Sequence, residues 1–141
     1  MTYQVSDPVI GTQPIADTST TKLHPLGTIV EAVDPTLGAG TFVYLQGLAA
    51  TAVGSWVTYN ASDNTTALLA ANAIGPVATA MSANVASQYG WYQIEGKAVG
   101  KALASYADNG LVYATATAGS IDDAVVAGDR VKLAKGASAV D

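Results

Sequence analysis

The sequence predicts an all-β domain, and three observations carry that prediction. Short runs rich in β-branched and aromatic residues recur at intervals close to the ~8–12 residues typical of all-β domains, and each is bounded by Gly, Pro, Asn or Asp. Half of the 141 residues are apolar and only 12% are charged, which excludes a disordered chain. At most one helical turn is predicted. With eight to ten strands, the architecture is limited to a β-sandwich, a jelly roll or a barrel.

The first 26 residues differ from the rest of the chain. Prolines and a cluster of Ser and Thr forbid a regular helix there and interrupt any alternation. We therefore expect an extended N-terminal arm over residues 1–26 and a single β domain over residues 27–141. The arm carries isolated apolar side chains that would be costly in a free tail, so it should lie along its own domain or on a neighbour. Among them are Tyr3, Val5 and Ile10.

The first half of the domain contains four predicted strands. Residues 28–34 alternate in polarity and stop at a proline, and residues 41–46 follow a glycine-rich turn, so the two runs should form a hairpin. Residues 55–59 run from a glycine to a polar turn. Residues 67–71 are ambiguous, because Ala and Leu prefer helix while the length fits a strand, and the context favours a strand.

The second half is predicted to hold five strands and one helical turn. The turn is expected at residues 120–128, which begin with Ser120, continue with acids and end in Gly128. The last strand has the cleanest alternation, with Val131 and Leu133 predicted to point inward. The five strands are 77–81, 88–95, 97–103, 111–117 and 130–135.

The strand at residues 88–95 presents two different faces. Tyr92 and Ile94 share one parity and are assigned to the core. Trp91, Gln93 and Glu95 share the other, which should be either wet or covered by a partner.

Catalytic chemistry is scarce in this sequence. The only imidazole, His24, lies in the arm, no nucleophile elbow or phosphate loop occurs, and there is no cysteine. A pair of carboxylates, Glu31 and Glu95, leaves one hydrolase hypothesis open. Solvated strand positions are the simpler interpretation of both. We therefore expect a protein that is not an enzyme, with no catalytic residue, no cofactor and no metal.

Charge and hydropathy exclude other partners. The net charge is −5 and the six basic residues form no stripe along the sequence, so we expect no binding to nucleic acid. No apolar run reaches the ~18 residues of a membrane span, and the N-terminus lacks the pattern of a signal peptide. The sequence thus predicts a soluble chain made in a cytoplasm.

Aromatic side chains raise an alternative function. The flat rings of Trp and Tyr, with their N–H and O–H groups, are suited to stacking on sugars as well as to protein interfaces. A carbohydrate-binding or receptor-binding β module of a fibre protein therefore stays open. The candidate rings are Trp56, Tyr89, Trp91, Tyr92 and Tyr113.

Three segments carry a resemblance to a known family. They are GTIVEAVDPTLGAGTFVYLQG, GPVATAMSANVASQYGWYQIEGKAVG and DNGLVYATATAGSIDDAVVAGDRV. Over residues 27–134 the chain resembles the small head decoration or cement proteins of tailed bacteriophages. The resemblance implies a jelly-roll-type β fold on the outer surface of an icosahedral head. There, copies bridge capsomers of the major capsid protein, as homodimers or alternatively trimers.

The resulting expectation is a structural virion protein on the capsid exterior, made in the bacterial host cytoplasm. Such a protein needs exposed strand edges, an arm and faces that pack on a partner. The partner contacts are predicted at Tyr3, Val5, Ile10, Trp91, Gln93 and Glu95.

Overall fold

A computed structural model describes residues 2–6 and 11–140, and every regular element in those ranges is a β-strand. All pairings between strands are antiparallel. The all-β prediction is therefore confirmed. The strands are β1 (Gln4–Val5), β2 (Thr18–Ser19), β3 (Ile29–Asp34), β4 (Gly38–Gln46), β5 (Trp56–Tyr59), β6 (Thr66–Leu68), β7 (Val77–Ala80), β8 (Tyr89–Gly96), β9 (Leu111–Ala114), β10 (Ile121–Asp122) and β11 (Arg130–Lys135).

The strands form a large sheet and a small one. The large sheet has the order β1-β3-β4-β8-β7-β5-β6, with β2 pairing separately with β8, and the small sheet has the order β10-β9-β11. The predicted hairpin is present as β3 and β4, whose register joins Ile29 to Val43 and Asp34 to Gly38. The alternation predicted for β3 is confirmed, because every second residue is buried.

The large sheet buries side chains on both of its faces. On β4, Phe42 and Tyr44 belong to a first core cluster with Trp91, whereas Val43 and Leu45 belong to a second. These side chains alternate because successive strand residues point to opposite faces. Burial of this kind on both sides means that each face of the sheet is covered by another part of the chain.

The second core cluster lies inside a curled part of the large sheet. The Thr66 hydroxyl of β6 donates a hydrogen bond to the Gln46 carbonyl of β4 at 2.7 Å, although three strands separate them in the sheet order. The sheet therefore bends back on itself at this point. Tyr92 is fully buried there, and burial raises its pKa to about 12 against the hydrogen bond from Asn84.

The N-terminal segment covers the face that carries the first core cluster. Ile15 is buried in that cluster, and the Tyr3 ring meets Phe42 edge-on with centroids 4.9 Å apart. The Trp91 indole Nε1–H donates to the Gln13 carbonyl at 2.9 Å. In the described residues, the segment thus packs on its own sheet.

The small sheet covers the opposite half of the same face. Its buried residues Val112, Ala114 and Ile121 form a third core cluster, against which Trp56 of β5 packs. Backbone hydrogen bonds join the two sheets, since the Trp56 N–H donates to the Gly119 carbonyl at 3.0 Å. The face of the large sheet is therefore shared between the N-terminal segment and the small sheet.

Two predicted elements are wrong. Residues 97–103 form no strand and make only an isolated bridge from Ala102 to Ile121. Residues 120–128 contain no helical turn, and Ile121 instead pairs with Ala114 in β10. The capping residue Ser120 favours a helical turn only locally. Burying Ile121 against β9 stabilises the fold by more free energy than one isolated turn of helix would, so the strand forms.

The orientation predicted for Leu133 is also wrong. Its side chain is 108% exposed, and its φ of 62° lies in the left-handed region, which is unusual for a large residue. The pairing of β11 with β9 is irregular between Arg130 and Lys135. This irregularity interrupts the two-residue period, and consequently Leu133 points to solvent rather than to the core.

A single carboxylate ties the N-terminus to the β3–β4 turn, and it makes stability depend on pH. Asp34 accepts hydrogen bonds from the backbone N–H groups of Thr2 at 2.6 Å, Leu37 at 2.8 Å and Thr36 at 2.7 Å. These bonds, that of Thr2 first, lower the pKa of Asp34 to about 2. The folded-state pKa lies below the unfolded value, so the stabilisation is complete above about pH 4 and is lost as pH falls through about 2.

We expect Asp34→Asn to remove this part of the pH dependence. In urea unfolding at several pH values, the stability difference between the native chain and the variant should shrink as pH falls from 5 towards 2. A difference that stays constant over that range would contradict the role assigned to Asp34.

Candidate functional site

A groove of about 1170 Å³ opens between the small sheet and the end of β8. Thr79 of β7 and Gln93 of β8 are register partners, are both buried, and form part of its floor. One wall is β11. Another is the segment of residues 95–100, at and beyond the end of β8. The groove therefore reaches between the large sheet and the small one, because Val112, Ala114 and Ile121 of the third core cluster also line it.

Large apolar side chains are exposed around this groove. Ile74 is 95% exposed and Leu133 is 108% exposed, and Val99 and Val140 are also exposed. Single apolar residues scattered over a surface need no explanation, but several around one concavity mark an interaction site. The backbone of Leu133 is strained as well, because its φ is positive. Its apolar side chain lies in water at the rim of the groove.

Basic residues are concentrated at the same groove. It is lined by four of the six basic residues of the chain, whereas the described acids in its lining are Glu95 and Asp129. The Asp129 carboxylate already accepts a hydrogen bond from the Asn72 backbone N–H at 2.8 Å. The groove is therefore locally cationic on a chain whose net charge is −5. The four are Lys97, Arg130, Lys132 and Lys135.

Gln93 connects the groove to the N-terminal segment. Its Nε2 donates to the Tyr3 hydroxyl at 3.4 Å and to the Glu95 and Lys97 carbonyls at 3.0 and 3.3 Å. Burial raises the pKa of Tyr3, and the Gln93 hydrogen bond opposes that shift. The Gln93 Oε1 is buried and accepts no hydrogen bond from the described residues.

Comparisons with known proteins add nothing to this geometry. No protein-family model matches the chain, and no curated protein or solved structure matches it significantly. The functional reading therefore depends on the residues themselves.

The face of β8 predicted to meet a partner is only partly exposed. Trp91 is 0% exposed, so the expectation that its side chain faces outward is wrong. The N-terminal segment and the rings of Tyr44 and His24 surround it. Gln93 is 3% exposed on the groove floor, and only Glu95 is exposed at the rim.

The predicted contact residues of the arm are also only partly exposed where they are described. Tyr3 and Val5 are half-buried against the first core cluster. Val5 also pairs with Ala32 as part of β1. Ile10 lies outside the described residues. The structure therefore brings Gln93 and Glu95 together at the groove, with the Tyr3 hydroxyl hydrogen-bonded to Gln93, and leaves Val5 paired with β3.

The aromatic residues do not form an open sugar-stacking platform. Trp91, Tyr92 and Tyr113 are buried, and Trp56 and Tyr89 are half-buried. Stacking on a sugar requires an exposed ring face. Among the five candidate rings, only Trp56 and Tyr89 therefore keep exposed area.

The two carboxylates of the hydrolase hypothesis lie in one row across the sheet. Glu31 pairs with Thr41, and Thr41 pairs with Glu95, so their Cα atoms are about 10 Å apart. Both side chains are exposed, and only Glu95 lines the groove. Their pairing thus creates no shared cleft in which one carboxylic acid could be kept protonated.

The described residues contain neither a cluster of metal-ligating side chains nor a membrane-spanning helix. Among the described residues, no group of three or more His, Asp or Glu side chains is arranged to hold a metal ion. Those residues also form no helix long and apolar enough to cross a membrane.

The sequence interpretation missed the rim residues. Ile74 did carry a signal, because it is a large apolar residue inside the turn ANAIGP, where nothing local can bury it. Leu133 carried none, since Arg130 to Lys135 alternates in polarity as a regular strand would. The cationic character was equally hidden, because Lys97 is distant in sequence from β11.

Proposed function

We propose that this chain is a structural virion protein that binds the outer surface of an icosahedral phage head and cements neighbouring capsomers of the major capsid protein. One observation carries the proposal: exposed apolar side chains line the groove, Ile74 and Leu133 almost completely free of contact. Such a surface gains free energy when a partner covers it. The resemblance of the QYGWYQIEG segment and its flanks supports the choice of partner.

The proposal includes finer features of the fold and assembly. The two sheets would belong to a jelly-roll-type arrangement, and the N-terminal segment would act as an arm reaching a neighbour. Copies would associate as homodimers or alternatively trimers on the capsid exterior, after synthesis in the bacterial host cytoplasm. Each contact can be weak, because many copies act on one particle and their effects add through multivalency.

Co-sedimentation tests the proposal. Purified heads of the encoding phage that lack this protein should carry it into the pellet, while unassembled capsid subunits should leave it in solution. The reason is that a cement protein spans neighbouring capsomers, a surface that only the assembled shell presents. Failure to pellet with heads, or equal binding to free subunits, would contradict the proposal.

A further inference from the structure

The size of the groove points to an occupant larger than a metabolite. Small-molecule sites usually enclose about 300–1000 Å³, and this groove, at about 1170 Å³, exceeds that range and has exposed walls. A segment of another protein chain suits an elongated surface of this kind. The occupant should then match the apolar rim, the cationic lining and the available backbone edge.

The backbone edge belongs to β11. This strand is the last in the order β10-β9-β11, so within the described part of the chain one of its sides has no neighbouring strand in the small sheet. An edge strand is a template for an added strand from a partner. Because β11 forms a wall of the groove, a segment that pairs with this edge would also reach the rim side chains.

The charge distribution selects the chemistry of that segment. Lys132 and Lys135 are exposed on β11, and Lys97 is exposed across the groove. An acidic segment would be attracted to them, whereas a basic one would be repelled.

We propose that the groove binds an extended, acidic protein segment with alternating apolar side chains, which lies along β11. The apolar side chains cover Leu133 and Val99, and the acidic ones face the lysines of the rim. This inference rests on the proposed function only in taking the capsid protein as the source of the segment. The chemistry of the groove itself does not depend on it.

Charge reversal at the rim is the test. The double variant Lys132→Glu/Lys135→Glu should weaken binding to heads about 10-fold or more, and Leu133→Ser should do so separately. All three positions are exposed, so folding should be unaffected. The matched control is Lys22→Glu/Lys101→Glu, which changes the net charge equally at the two exposed basic residues outside the groove and should bind as the native chain does.

A synthetic probe separates this inference from the proposed function. A peptide alternating Val and Glu should bind the native chain and shift the emission of Trp56, which lines the groove. The same peptide with Lys in place of Glu should not. The variant Trp56→Phe assigns the signal, because the other tryptophan, Trp91, lies buried in the first core cluster.

The results of the peptide and head-binding experiments distinguish failure of the groove inference from failure of the proposed function. If the Val–Glu peptide binds and heads do not, the groove inference stands and the proposed function fails. If heads bind the native chain and the Lys132→Glu/Lys135→Glu variant equally, the groove inference fails while the proposed function stands. Equal binding of the Val–Lys peptide, tighter binding of a single-stranded oligonucleotide, or loss of self-association in the rim variants would also overturn the inference.

Discussion

Replacing Trp91 with Ala is expected to lower the free energy of unfolding by about 3–5 kcal/mol. The side chain is fully buried in the first core cluster, between the large sheet and the N-terminal segment. Truncation would remove its packing against Tyr44 and leave a cavity. It would also leave the Gln13 carbonyl without the indole donor that now lies 2.9 Å away. Urea unfolding measures the loss directly.

Leu133→Ala is the matched control for that prediction. Its side chain is exposed and contributes little to packing, so the variant should stay within about 0.5 kcal/mol of the native chain. Equal losses for Trp91→Ala and Leu133→Ala would contradict the assignment of one residue to the core and the other to the groove rim. A large loss at Leu133 alone would restore the sequence-based prediction.

Gly47→Ala is expected to destabilise the fold by about 3 kcal/mol, because its Cβ would meet rigid backbone. An added Cβ would clash directly with the backbone carbonyl of Asn84. Asn84 cannot easily move, since it is fully buried and its carbonyl accepts the Leu48 N–H at 3.1 Å. The Gly47 N–H is itself held by the Gln88 carbonyl at 2.8 Å. Thermal or urea unfolding will report the change.

Gly128→Ala provides the comparison. This glycine has a φ of +89°, but a Cβ built on it would meet nothing within 4 Å. The substitution therefore costs only the strain of a left-handed backbone, about 1–2 kcal/mol. If Gly128→Ala proves as damaging as Gly47→Ala, close backbone approach is not the reason for glycine at position 47.

The features of the fold that the sequence predicts are those determined by residues adjacent in the sequence. In β3, the alternation of polarity predicts the buried positions, because a period of two follows directly from strand geometry. The parity of Trp91 and Tyr92 was also predicted, and the two do fall into different clusters. Strand parity separates two faces but does not say what covers each of them.

The remaining part depends on contacts between distant segments. Trp91 is buried because residues near Gln13 lie on it, almost 80 positions away in the chain. Leu133 is exposed because the pairing with β9 is irregular, which the alternating sequence of β11 does not reveal. Lys97 and β11 are distant in the sequence as well, and only the tertiary structure brings them to one surface, the groove.

We propose that this chain docks on an assembled phage head through the groove beside β11. Imaging of the heads pelleted in the co-sedimentation experiment, by electron cryomicroscopy, tests it most directly. We expect density for the chain on the outside of the shell, with Leu133 and Lys132 facing a segment of the capsid protein. Heads without added density, or a chain bound with this groove open to solvent, would contradict it.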